Sequence, residues 1–273
     1  MPDRYAVFGN PVSHSKSPLI HGTFARATGQ DLTYEAIEAP VDGFAAAIAE
    51  FRAHGGRGAN VTTPFKLEAF ALATDLSERA RLAGAVNALK FDGERAQAEN
   101  FDGVGLVNDI QRNLACPFAG KRILLLGAGG AARGALLPFL EQRPQALFVA
   151  NRTVAKATAL GAQFSAYGNL GTGGYADLGD RPYDIVVNAT SASLRGELPP
   201  VSRTAFAEGC LAYDLVYGKG LTPFLRLARD AYAGRVADGI GMLVEQAAEG
   251  FAWWRGVRPE TKPLIDGLSV PLA

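Results

Sequence analysis

Residues Arg122–Leu126 form an unbroken aliphatic run that passes directly into Gly127-Ala128-Gly129-Gly130-Ala131-Ala132-Arg133-Gly134. Such a run suits a strand buried on both faces, as a parallel sheet requires. The glycines supply a tight turn, and a helix is expected beyond them to about Gln142. Strand, glycine turn and helix in that order constrain the chain to an α/β fold, because the helix must return across the sheet to the next parallel strand. The alternation continues with strands at Ala146–Ala150, Ile185–Asn188, Leu211–Leu215 and Val236–Asp238, and helices at Thr153–Ala162 and Pro223–Ala233. Gly168–Gly174 reads as a surface loop.

Gly127, Gly129 and Ala132 fill the G-x-G-x-x-G/A fingerprint of a dinucleotide site. The first Gly permits the sharp turn, the second lets backbone approach a pyrophosphate, and the small third residue packs helix against strand. An NAD site usually carries an acid at the end of the next strand, where ribose hydroxyls bind. This chain has Asn151-Arg152-Thr153 there, with Lys156 one turn along. A guanidinium, a hydroxyl and an ammonium would hold a 2′-phosphate that a carboxylate would repel. NADPH is the expected cofactor. Thr153 could instead simply cap a solvated helix, but Arg and Lys near a helix start oppose its dipole unless an anion sits there.

The first half reads differently. Tyr5–Phe8, Leu32–Ile37 and Gly58–Val61 are strand candidates, and Val41–His54 is a helix with Phe44, Ile48 and Phe51 on one face. Ser17-Pro18 opens a helix with a hydroxyl cap, and Asp92-Gly93 turns a hairpin after Ala88–Phe91. A long helical pattern follows Gly239-Ile240-Gly241 and runs to Trp254. At 273 residues and 48% hydrophobic content the chain can fill two cores.

With 27 basic and 27 acidic residues there is no electrostatic footprint for nucleic acid or an anionic membrane. No apolar run approaches a membrane span, and no signal-peptide pattern opens the chain. Cys116 and Cys210 lack metal or disulfide spacing, and read as buried free thiols in a reducing compartment. The three histidines, His14, His21 and His54, stand apart from any metal-cage pattern. No metal is expected, and the expected location is cytoplasmic.

Several polar clusters remain: Ser13-His14-Ser15-Lys16-Ser17-Pro18, Asn60-Val61-Thr62-Thr63-Pro64-Phe65-Lys66, Gly84-Ala85-Val86-Asn87 and Asn100-Phe101-Asp102-Gly103. In this order, and with Gly127–Gly134, Asn151-Arg152-Thr153, Asn188-Ala189-Thr190-Ser191, Tyr213-Asp214 and Gly241-Met242-Leu243-Val244-Glu245-Gln246, the chain resembles the shikimate dehydrogenase family over nearly its whole length. The resemblance implies two α/β domains with a cleft between them: a substrate-binding catalytic domain from 1–103 plus 240–273, and a Rossmann-like NADP-binding domain from 104–239. It implies Lys66 and Asp102 as the catalytic pair. Lys66 would carry the proton that reduction of a ring ketone requires, and Asp102 would orient it and bind a ring hydroxyl. Ser15, Ser17 and Tyr217 would approach the substrate carboxylate, while Thr62, Asn87 and Gln246 would bind ring hydroxyls.

For the cofactor, the resemblance implies Gly127, Ala128, Gly129, Gly130, Ala131, Asn151, Arg152, Thr153, Lys156, Thr190, Leu215, Gly239 and Met242. The implied reaction is reversible, NADPH-dependent reduction of 3-dehydroshikimate to shikimate in aromatic amino-acid biosynthesis, by a monomer or homodimer. An NAD-using quinate/shikimate dehydrogenase and a non-catalytic NADPH sensor are the alternatives. Arg152 argues against the first, and the retained Lys66 and Asp102 against the second. Phe101 departs from the family, which usually has Thr there, and reads as packing. Trp253 and Trp254 are expected to pack the last helix or a partner surface.

Overall fold

A computed structural model of the chain describes residues 1–179 and 182–272, and contains two six-stranded sheets. The chain divides into two compact units, Met1–Gly105 with Val244–Leu264, and Leu106–Leu243 with the residues from Ile265 onward.

The first unit contains β1 (Asp3–Gly9), α1 (Ser17–Thr28), β2 (Leu32–Glu38), α2 (Phe44–Ala53), β3 (Gly56–Val61), α3 (Lys66–Leu72), β4 (Asp75–Leu76), α4 (Glu78–Ala83), β5 (Ala88–Asp92), β6 (Arg95–Glu99) and the start of α5 (Asp102–Asn108). Its strand order is β2-β1-β3-β5-β6-β4. The sheet is mixed: β1 runs parallel to β2 and β3, whereas β5 is antiparallel to β3 and β6. The Asp92-Gly93 turn joins β5 to β6, and Gly93 takes the left-handed φ of +55° that favours glycine there.

Alternation along β1 sends Ala6 and Phe8 into one cluster and Tyr5 into another. Phe44, Ile48 and Phe51 on α2 fill the first, as the helical spacing predicts, and Phe44 stacks on Phe65 at 4.8 Å. Each such buried side chain contributes roughly 1.5–3 kcal/mol. In the second cluster Trp254 stacks on Tyr5 at 4.8 Å and donates to the Leu89 carbonyl at 3.0 Å.

The second unit holds β7 (Arg122–Leu126), α6 (Gly130–Glu141), β8 (Ala146–Ala150), α7 (Val154–Phe164), β9 (Leu170–Gly173), β10 (Tyr183–Asn188), β11 (Phe206–Asp214), α8 (Pro223–Asp230) and β12 (Arg235–Asp238). All its pairings are parallel, in the order β12-β11-β10-β7-β8-β9, so the topology reverses at β7 and β10 as in a doubly wound sheet. Helix α9 (Ile240–Arg255) begins in this unit and contributes most of its length to the first. After α10 (Lys262–Leu268) begins, the chain groups with the second unit, where Leu272 packs beside Phe224 and its carbonyl accepts from Arg229.

Several expectations need correction. The segment 168–174 is not all loop, because Leu170–Gly173 forms the edge strand β9. Its glycine serves packing: a Cβ on Gly171 would lie 2.7 Å from the Phe148 ring. Ser17 does not cap α1; its N–H is taken by the Ser15 hydroxyl at 3.2 Å, and Lys16 holds the cap position without a side-chain bond. Cys210 is buried but Cys116 only half-buried, and both are free thiols.

Candidate functional site

The first unit assembles one polar cluster from four stretches of chain. Lys66 is the first residue of α3 and Asp102 the first of α5. Nζ of Lys66 donates to Oδ2 of Asp102 at 2.5 Å, and both side chains keep partial access to solvent, 32% and 18%. The other carboxylate oxygen, Oδ1, accepts from Nδ2 of Asn87 at 2.8 Å. The same amide reaches Oε1 of Gln246 on α9 at 3.2 Å. Gly105 makes this approach possible, since a Cβ there would meet the Gln246 backbone nitrogen at 2.6 Å.

Asn87 is fixed at every polar atom. Its Oδ1 accepts from the Phe101 N–H at 2.9 Å, its N–H donates to the Glu99 carbonyl, and its carbonyl accepts from Val61 N–H and from Nδ2 of Asn60. Asn60 in turn accepts from the Tyr34 hydroxyl at 2.7 Å. Ser17, buried at the start of α1, bears on that same hydroxyl. Thr62 follows β3, with its N–H bonded to the Phe8 carbonyl. Tyr217 is exposed and stands on the second unit, where burial of its hydroxyl and the charge of Asp238 push its ionisation upward.

Phe101 turns away from this polar cluster. It is 4% exposed, packs edge-on to Trp253 at 5.7 Å, and lies under the Arg79 guanidinium at 5.9 Å. Its backbone keeps the neighbouring Asp102 in register while its side chain fills core.

In the second unit, Gly127, Ala128, Gly129, Asn151, Arg152, Thr153, Lys156 and Thr190 line one cavity of about 420 Å³. Gly127 has a left-handed φ of +108°, and a Cβ there would stand 3.2 Å from the Ala189 carbonyl oxygen. Gly129 and Gly130 differ, since a Cβ on either meets no protein atom within 4 Å. The α6 N-terminus thus presents backbone N–H groups without a side-chain cap or an acid in its first turn. That arrangement and the nearby Arg152 and Lys156 fit a dinucleotide bearing a 2′-phosphate. Thr153 occupies the α7 cap position yet makes no capping bond, so the simple-cap reading fails.

Gly130 and Ala131 lie exposed at the α6 start, outside that cavity's lining. Leu215, Gly239 and Met242 form a separate group beyond β11 and β12, also outside it. A Cβ on Gly239 would lie 2.2 Å from the Leu215 carbonyl oxygen, and Met242 N–H donates to the Tyr213 hydroxyl at 3.2 Å.

Comparison with known proteins decides the family. Residues 7–89 match the shikimate dehydrogenase substrate binding domain, 109–195 the shikimate / quinate 5-dehydrogenase family, and 239–266 the shikimate 5′-dehydrogenase C-terminal domain. The NADP(+) shikimate dehydrogenase of Nitrosospira multiformis is 57% identical over 97% of this chain and 96% of its own length. The chain belongs to the shikimate dehydrogenase family. Among solved structures, an Ael1 enzyme from Pseudomonas putida superposes with a TM-score of 0.97 at 58% identity, covering 99% of this chain and 100% of its own. A shikimate 5-dehydrogenase from Thermus thermophilus, solved with NADP(H) and shikimate, gives 0.85 at 31% identity, covering 96% and 97%.

Against this shikimate dehydrogenase background, two groups of residues received no role from sequence, although Asn188, Ser191 and Asp214 stand in the motifs that carry the resemblance. Asn188 and Asp214 at adjacent strand ends are bonded at 3.2 Å, and Asn188 Oδ1 accepts from both the N–H and the hydroxyl of Thr190. Burial pushes the Asp214 carboxyl upward, opposed by donors from Ser193, Thr222, Val216 and Asn188. The pair braces one wall of the cavity. Tyr175, Ser191, Arg195 and Glu197 also line it. Apolar periodicity gives no signal for residues in such irregular connections. Among the described residues, no cluster of His, Cys, Asp and Glu suits a metal, and no helix is long and apolar enough to cross a membrane.

Proposed function

We propose that this protein catalyses reversible, NADPH-dependent reduction of 3-dehydroshikimate to shikimate, with Lys66 as the proton carrier. The carrying observation is the Lys66–Asp102 contact within a cluster that also contains Asn87 and Gln246. We assign the substrate to the first unit and the adenosine end of the dinucleotide to the cavity of the second.

When bound, the dinucleotide supplies the hydride. The chain's own task at the ketone is to deliver a proton to the oxygen that becomes a hydroxyl, and to remove it in the reverse direction. Nζ of Lys66 does this. Asp102 holds that ammonium through Oδ2 while Asn87 fixes the carboxylate through Oδ1, so the donor is positioned before the substrate arrives. The amides of Asn87 and Gln246 and the Thr62 hydroxyl bind ring hydroxyls, whereas Ser15 and Ser17 receive the carboxylate. Gly127–Ala131 would cradle the pyrophosphate, and Asn151, Arg152, Thr153, Lys156 and Thr190 would take the adenosine end. Leu215, Gly239 and Met242 would border the nicotinamide.

The test oxidises shikimate and quinate separately, each with NADP and with NAD. Shikimate with NADP should give the highest kcat/KM of the four combinations. A preference for quinate would overturn the substrate assignment, and a preference for NAD the reading of Arg152.

A further inference from the structure

The segment 189–200 contributes much of the lining of the cofactor cavity, beside Arg152, Thr153 and Lys156, and it carries a charge pair of its own. The Arg195 guanidinium donates to the Ser191 hydroxyl at 2.9 Å and to Oε2 of Glu197 at 2.8 Å. The pair is set by backbone as well as by charge. Gly196 between the two residues has a left-handed φ of +70°, its N–H bonds to the Ser193 carbonyl, and the Glu197 N–H bonds to the Ala192 carbonyl. Pro199 and Pro200 follow directly on the same wall.

The charges in the cavity are therefore Arg152, Lys156 and Arg195 against the single carboxylate of Glu197. Glu197 lines the same cavity as Arg152, the guanidinium expected to meet a phosphate, and Arg195, first by its hydrogen bond and then with Arg152 by charge, holds that carboxyl below its ordinary range. An acid there has opposite effects on two dinucleotides. It accepts from ribose hydroxyls, but it repels a phosphomonoester and competes with it for Arg152. With side chains 55% and 57% exposed, the pair adds little to stability.

We propose that the Arg195–Glu197 pair sets how strongly this cavity prefers a nicotinamide dinucleotide carrying a 2′-phosphate over one without. Arg195 masks Glu197 and adds a third cation for the phosphate, while Glu197 tempers the preference by retaining an acceptor for bare ribose hydroxyls. The inference rests on the reading of this cavity as the dinucleotide site.

The experiment compares kcat/KM with NADP and with NAD for wild type, Arg195→Ala, Glu197→Gln and Arg152→Ala. Arg195→Ala should lower the NADP:NAD ratio by about fivefold or more, and Glu197→Gln should raise it by about threefold or more. Opposite movements of the two variants support the proposal, and any other pattern overturns it. Arg152→Ala separates the two levels of failure. If it leaves the ratio within about twofold of wild type, the cavity is not where the phosphate is read. If it collapses the ratio while the other variants do not move oppositely, only the role of the Arg195–Glu197 pair is lost.

Discussion

The Asn87 side-chain amide donates to Oδ1 of Asp102 at 2.8 Å, although the two residues leave different elements, a strand start and a helix start. Asn87→Ala would remove a hydrogen bond to a charged group, worth about 1.5–3 kcal/mol. The expected loss in kcat/KM for shikimate is roughly 10- to 100-fold. Asn87→Asp should be worse than alanine, because it sets a second carboxylate against the first, and one of them must then retain a proton. Steady-state kinetics of the two variants check the order.

Arg152→Ala should raise KM for NADP by roughly 10- to 100-fold, the equivalent of one charge-assisted contact to phosphate. The effect should shrink as salt rises, since the cavity is open to solvent and the interaction is screened. Titrating NADP at low and high ionic strength measures both.

Gly129→Ala tests the open surface at the start of α6. A Cβ there meets no protein atom within 4 Å, and Gly129 has an ordinary φ of −85°, so the fold should tolerate the change with a Tm shift of only a few degrees. A methyl group in the path of the pyrophosphate should nonetheless raise KM for NADP several-fold. Thermal melts alongside NADP titration would reveal a merely structural role, in which Tm falls and KM does not move.

His21 gives the protein an acid limit. The ring is buried, stacks on Tyr34 at 4.2 Å, and has neither ring nitrogen in a hydrogen bond of good geometry. Burial depresses its pKa to about 3, opposed by the nearby Asn60 amide. Because the unfolded chain binds this proton near pH 6.5, the contribution is fully present above that value and is lost as pH falls toward 3. Between pH 6.5 and 4 the wild type should lose about 3 kcal/mol from this group. His21→Phe, which keeps a ring in the stack, should abolish that part of the pH dependence in urea unfolding.

Much of the second unit was legible in the sequence, because a parallel strand buried on both faces reads as an uninterrupted apolar run. Arg122–Leu126 and Ala146–Ala150 begin and end where the aliphatic pattern does. Strand β9 was missed because its glycines weaken strand propensity, and their purpose, room for Phe148 beside Gly171, exists only in three dimensions. Ser17 was misread as a cap because a hydroxyl before proline has that signature whether or not Ser15 takes the N–H first. Lys66, Asp102, Asn87 and Gln246 could be listed from motifs, but their mutual geometry could not. It arises because the start of α5 and one turn of α9 both meet the Asn87 amide, while the start of α3 reaches the other oxygen of the Asp102 carboxylate.

The most direct test is Lys66→Ala, assayed for shikimate oxidation with saturating NADP alongside an equilibrium measurement of shikimate affinity. A proton carrier at Nζ predicts that kcat falls by about 10²- to 10⁴-fold while the Kd for shikimate changes far less. A variant that kept wild-type kcat, or lost activity only through weaker shikimate binding, would contradict the assignment.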